Sequence, residues 1–221
     1  MTKKIISDFE IMKIPAKDCK EPLVSLRDYS KEIIIDIDRT SKKYEKLRKE
    51  ECYVRETVAI MLSQAQSLLP EGYKLKIIDG FRSLATQKKI YNLVFKEILR
   101  KNPAWSENSI KKEVDKWVAN PSTVPPHSTG GAVDVTLIDD FGNEIDMGSK
   151  VNDISPNAET ISRAISKGAR KNREILNAVM KEVGFINYPL EWWHWCYGDR
   201  MWAHYAKKPF ALYNGITNGK F

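Results

Sequence analysis

Hydrolysis assisted by zinc needs three protein ligands, an open coordination position, and a nearby base that does not itself hold the ion. The sequence contains three histidines, His127, His194 and His204. His127 begins the stretch HSTGGAVD, which ends at Asp134, and His194 ends the run EWWH, which begins at Glu191. A set of His127, Asp134 and His194 would supply two neutral imidazoles and one carboxylate. Glu191 would then stand close enough to take a proton from the attacking water. The helical H-E-x-x-H pattern is absent, so such a site would have a different architecture.

Spacing puts a condition on this reading. In a fully extended chain, His127 and Asp134 would lie roughly 23 Å apart on opposite faces, too far to share one ion. A helix would bring them to about 10 Å, but Pro125, Pro126, Gly130 and Gly131 argue against a helix there. The two residues can meet only if the chain folds back at Gly130-Gly131, where glycine permits a sharp bend. Each residue also has a plainer reading. A histidine in an aromatic run can be a hydrogen-bonded core residue, and an aspartate in a strand can be a turn or cap acceptor. Against the plainer reading, Asp134 interrupts the apolar run AVDVTL, where a buried carboxylate is costly unless it is paired or binds metal. Spacing alone leaves both readings open.

The elements that would position these residues can be read from periodicity. Residues 132–137 alternate as a strand, and residues 73–78 form another, closed by Asp79-Gly80. Residues 55–69 repeat at helical spacing and stop at Pro70 and Gly72, and a second helix is expected over 85–100. Arg82 stands at the junction between strand and helix, where it could either build a site at the sheet edge or pair with Asp79. Ser106 is the expected N-cap of a helix over 106–119. Residues 139–143 read as a hairpin turn, and residues 144–160 lack periodicity, as a lid or substrate-facing loop would. A helix over 170–183 ends at Gly184. Residues 32–38, 185–186 and 190–196 supply further strands, and Trp192, Trp193, Trp195 and Trp202 are expected in the core. The expectation is an α+β domain spanning 1–221, with a central antiparallel or mixed sheet flanked by helices and residues 1–30 as an N-terminal arm.

The net charge of +7 arises from Lys and Arg scattered among Glu over helix-like segments (42–51 and 111–116), which reads as solvated faces and not a nucleic-acid surface. No apolar run is long enough to span a membrane, and Asp8 interrupts any signal-type core, so a cytoplasmic setting is expected. Cys19, Cys52 and Cys196 lack paired metal spacing and read as reduced core residues. Oligomeric state is not legible.

Several motifs in order resemble a known family. HSTGGAVD, EWWH and DGFR (residues 79–82) are similar to elements of the zinc D-alanyl-D-alanine dipeptidases and the related D,D-carboxypeptidases. Asp146-Met147-Gly148-Ser149 and Glu21-Pro22-Leu23-Val24 match as well, so the resemblance covers nearly the whole chain. It implies a fold of the D,D-peptidase and hedgehog-like type, and one zinc ion held by His127, Asp134 and His194. It also implies Glu191 as catalytic base, Arg82 as the group that steadies the oxyanion, and a small D-configured peptide as substrate. Substrate contacts are expected from Asn152, Asp153 and Ser128. Asn152 departs from the pattern: many of these dipeptidases carry there an aspartate that receives the substrate's amino group, and an asparagine lacks that charge. Either Asp153 takes the role, or a longer acyl chain is accepted.

Overall fold

A computed structural model describes residues 8–37, 51–115, 118–153 and 155–218. Along the chain, α1 (Asp8–Met12) leads to β1 (Leu23–Ser25), β2 (Ile34–Ile35) and β3 (Tyr53–Arg55). Next come α2 (Glu56–Leu68), β4 (Lys74–Asp79), α3 (Leu84–Lys101) and α4 (Glu107–Val114). β5 (Ala132–Ile138), α5 (Lys167–Glu182), β6 (Ile186–Asn187), β7 (His194–Cys196) and α6 (Arg200–Tyr205) complete it. Five strands form one sheet in the order β2-β4-β5-β7-β6, parallel only between β2 and β4. The architecture is α+β with a mixed sheet, as expected.

β5 lies in the middle of this sheet, and all of its residues are buried. Its two faces differ. Val133, Val135 and Leu137 join Leu75 and Ile77 of β4, Val58 and Leu62 of α2, and Leu176 and Met180 of α5 in the main core. Ala132 belongs to a smaller cluster with Cys196, Met201 and Trp202. Strand alternation therefore turns Asp134 away from the main core, onto the face where a cavity opens. α5 packs on the core side through Ala169, Leu176, Val179 and Met180, a helical stripe that also includes Arg173.

Several boundaries differ from the sequence reading for identifiable reasons. The expected strand over 190–196 is extended only from His194. Before it, the Asn187 side-chain amide donates to the Glu191 and His194 carbonyls, 3.0 Å each, and gathers the intervening residues into a turn. α4 ends at Val114 with Asp115 as its C-cap, short of the expected 119. α5 begins three residues earlier than expected, because Ser166 caps it by accepting the Ala169 amide. Ser106 caps α4 as expected, accepting the Ser109 amide.

The N-terminal segment does more than wrap the surface. β1 pairs antiparallel with β3, and Leu26 is fully buried in the main core. Cys52 and Cys196 are buried free thiols, but Cys19 lies exposed and is not a core residue. The basic segment over 42–50, Asp38 and Lys116 lie outside the described residues.

Candidate active site

The fold-back at the glycine pair is present. Pro125 and Pro126 start a short 3-10 turn, Pro126–Thr129, that carries His127 and ends at Gly130 with φ 76°. That backbone conformation disfavours side chains other than glycine's, so Gly130 sends the chain back into β5. Asp134 and His194 are direct cross-strand partners in the β5–β7 ladder, which places both side chains on one face. His127 reaches them from the turn.

The three residues converge. His194 Nδ1 is 2.9 Å from Asp134 Oδ1, and His127 Nε2 is 3.4 Å from the same oxygen. The imidazole rings meet edge to face with centroids 4.9 Å apart. One donor atom from each residue lies within 4.8 Å of the other two, and all three residues are buried. Ligands of a tetrahedral zinc, each about 2 Å from the ion, stand about 3.4 Å from one another, so this donor set fits zinc in chemistry and spacing. His127 is oriented for the task, because its Nδ1 lies 2.9 Å from the Gly80 carbonyl. A hydrogen on Nδ1 leaves the Nε2 lone pair facing the cluster.

The electrostatics match this arrangement. Burial alone would raise the Asp134 pKa, but both imidazoles together hold it well below the usual carboxylate range. Burial works against the His194 imidazolium, yet the Asp134 hydrogen bond and charge push its pKa up to about 9. Without metal, then, the cluster holds a proton that a cation would displace.

Around the cluster lies a cavity of about 760 Å³. Glu191 lines it from the turn before β7, and burial raises its carboxyl above the ordinary range. Arg82 lines it as well. A bulge at the end of β4 sets Asp79 opposite Asp134, and Asp79 Oδ2 accepts a 2.9 Å hydrogen bond from Arg82 Nη2. The Arg82 amide also donates to the His127 carbonyl at 3.0 Å, and its Nε is buried without a hydrogen-bond partner among the described residues. The two readings of Arg82 thus coincide: it pairs with Asp79 and faces the site.

The expected substrate contacts divide. Asn152, at φ 64°, and Asp153 both line the cavity. Asp153 is already engaged, since its two oxygens accept the Ser155 amide and hydroxyl at 2.8 Å each. Ser128 is not part of the lining: its buried hydroxyl donates to the Pro125 carbonyl at 2.7 Å, and its own carbonyl accepts the Ile216 amide. His204 sits on α6 beside Tyr205, outside the lining.

Sequence reasoning missed Arg173. Its Nε donates to the Met147 carbonyl at 2.7 Å, Nη1 to the Glu159 carbonyl at 2.6 Å and Nη2 to the Asn157 carbonyl at 2.8 Å. The guanidinium also lies 5.4 Å from the Trp192 ring, and Trp192 Nε1 donates to Ser149 Oγ at 3.0 Å. Together these contacts tie the loop before α5 to the segment that carries Glu191. The available signal was an arginine standing on the apolar stripe of a helix.

Comparison with known proteins finds relatives of one kind. A D-alanyl-D-alanine dipeptidase of Synechocystis sp. is 29% identical over 216 residues, covering 86% of this chain and 87% of the relative. A D-alanyl-D-alanine dipeptidase of Escherichia coli K12 is 38% identical over 68 residues, 31% of this chain and 35% of the relative. Among solved structures, VanYB in complex with D-Alanine-D-Alanine aligns at TM-score 0.42 and 19% identity, covering 80% of this chain and 86% of that one. The sequence pattern described as D-ala-D-ala dipeptidase fits residues 36–213, most of the chain, and the protein therefore belongs to that family of M15 peptidases.

Proposed function

We propose that this protein is a zinc-dependent dipeptidase that hydrolyses D-alanyl-D-alanine or a similar D-configured dipeptide. The observation that carries the proposal is the convergence of His127, Asp134 and His194 on one point of a cavity that Glu191 and Arg82 also line. Those three residues would hold the ion, which when bound polarises the scissile carbonyl and acidifies the attacking water.

The remaining work belongs to side chains. Glu191 takes the proton of the attacking water and returns it to the leaving amine, and a carboxyl raised by burial is a stronger base for the first step. Arg82, steadied by Asp79, presents its guanidinium to the developing oxyanion. Residues 152 and 153 form the wall where the substrate's amino group would lie.

A second reading, a D,D-carboxypeptidase that trims a longer stem peptide, draws on two features. The cavity of about 760 Å³ is larger than a dipeptide needs, and Asn152 offers no charge to an ammonium. Assays of free D-alanyl-D-alanine beside a pentapeptide ending in it, with zinc content measured on the same preparation, separate the two. Hydrolysis of the dipeptide supports the first reading, and hydrolysis of the pentapeptide alone overturns it.

A further inference from the structure

The two histidines of the cluster are held from behind by different partners. His127 has the Gly80 carbonyl at its outer nitrogen. His194 turns Nδ1 toward Asp134, which leaves Nε2 on the far side of the ring, 3.3 Å from Cys196 Sγ. Cys196 is fully buried and lies two residues along the same strand, so its side chain stands beside that of His194. Behind it are Met201 Sδ, 3.8 Å from Cys196 Sγ, and the carboxyl of Asp199, which interacts with the thiol. Asp199 is 1% exposed. Its Oδ1 caps α6 by accepting the Trp202 amide at 2.7 Å, whereas Oδ2 is buried with no hydrogen-bond partner among the described residues.

We infer that Cys196, backed by Asp199, is the outer partner that fixes the orientation and tautomer of His194 and thereby sets the affinity of the cluster for zinc. The inference rests on the zinc reading above. A histidine that binds metal through one nitrogen needs an acceptor for the hydrogen on the other, and an acceptor of the right depth holds the ring at its ligating angle. Sulfur is a weak acceptor, and a carboxylate behind it orients and polarises the thiol. Neither residue belongs to the ligand cluster, because Cys196 stands at the opposite nitrogen from Asp134. Both are therefore positioning residues.

The test is zinc affinity measured by competition with a chromogenic chelator, together with the absorption spectrum of the cobalt-substituted protein. Wild type should bind one zinc. Cys196→Ala should weaken zinc about 10- to 100-fold and shift the cobalt ligand-field bands, and Cys196→Ser, which keeps an acceptor, should recover most of that loss. Asp199→Asn keeps the α6 cap and should weaken zinc about 3- to 10-fold, and it decides the matter if Cys196→Ala does not fold. Affinities and spectra unchanged in both variants overturn the inference while leaving the zinc site intact. A thiolate-to-cobalt charge-transfer band in wild type also overturns it, since Cys196 would then be a ligand. Wild type that binds no zinc sinks the zinc reading instead.

Discussion

The two sides of the cavity are built by opposite means. The side with the proposed metal ligands rests on the sheet: Asp134 and His194 are cross-strand partners, and His127 is delivered by a glycine-terminated turn. The loop over residues 146–160, part of which also lines the cavity, has no ladder among the described residues. It is gathered from the helix side by the buried Arg173, which donates to three carbonyls of that loop. Strand pairing fixes side chains that must converge within a few tenths of an ångström, whereas a loop gathered by one guanidinium can change its sequence and still stay in place. On the proposed reading, the ion would be held from the sheet and its adjoining turn, and the loop would meet the peptide.

Substitutions on the two sides should separate along that line. The largest effect is expected from His194→Ala, which should abolish both zinc content and turnover; normal zinc occupancy by metal analysis would remove His194 from the ligand set. Glu191→Ala should keep its zinc and lower kcat about 10²- to 10⁴-fold. Arg82→Ala, also zinc-replete, should lower kcat about 10²- to 10³-fold with a smaller change in KM. Arg173→Lys, on the loop side, should raise KM about tenfold, the worth of one or two lost hydrogen bonds, and alter kcat far less. An equal fall in kcat for Arg173→Lys would mean that the loop also shapes the reacting centre, and the division between sheet and loop would fail.

The smallest effect concerns pH and the ligand side alone. In the metal-free protein His194 has its pKa pushed up to about 9 by Asp134 despite burial. A histidine raised above its unfolded value adds stability in full below the unfolded pKa and loses it as pH rises through the folded one. Metal-free protein should therefore lose roughly 5 °C in Tm between pH 6.5 and 9. Zinc-loaded protein, whose His194 is already deprotonated, should hold its Tm over that interval. Parallel melting curves of the two forms check this.

Most of the ligand side is legible in the sequence. A carboxylate inside an apolar strand and a glycine pair between it and His127 both have direct physical consequences, and local spacing requires the turn that is found. That His194 joins them depends on pairing over a separation of 60 residues, which periodicity does not reveal; residue types allow it, and the resemblance of several motifs implies it. The loop side is barely legible. Ser128 stands next to His127 in sequence, but a 3-10 turn directs its hydroxyl to its own backbone. Asp153 has the charge to receive an ammonium, yet Ser155 already occupies both oxygens. The strand expected over 190–196 is shortened because Asn187, outside that window, bonds the carbonyls within it. Each of these differences traces to a polar side chain that captures nearby backbone, an effect hydrophobic patterning does not register.

The pairing of Asp134 with His194 also orders events during synthesis. When residue 134 leaves the ribosome, two of the three donors exist but the third has yet to be translated, and a pair of donors grips a divalent cation weakly. On the proposed ligand set, capture of the ion would wait until the last long-range strand docks beside the central one. The cation would then act as a lock on a finished sheet and not as a seed for it, so a chelator present throughout refolding should leave the rate of sheet formation unchanged.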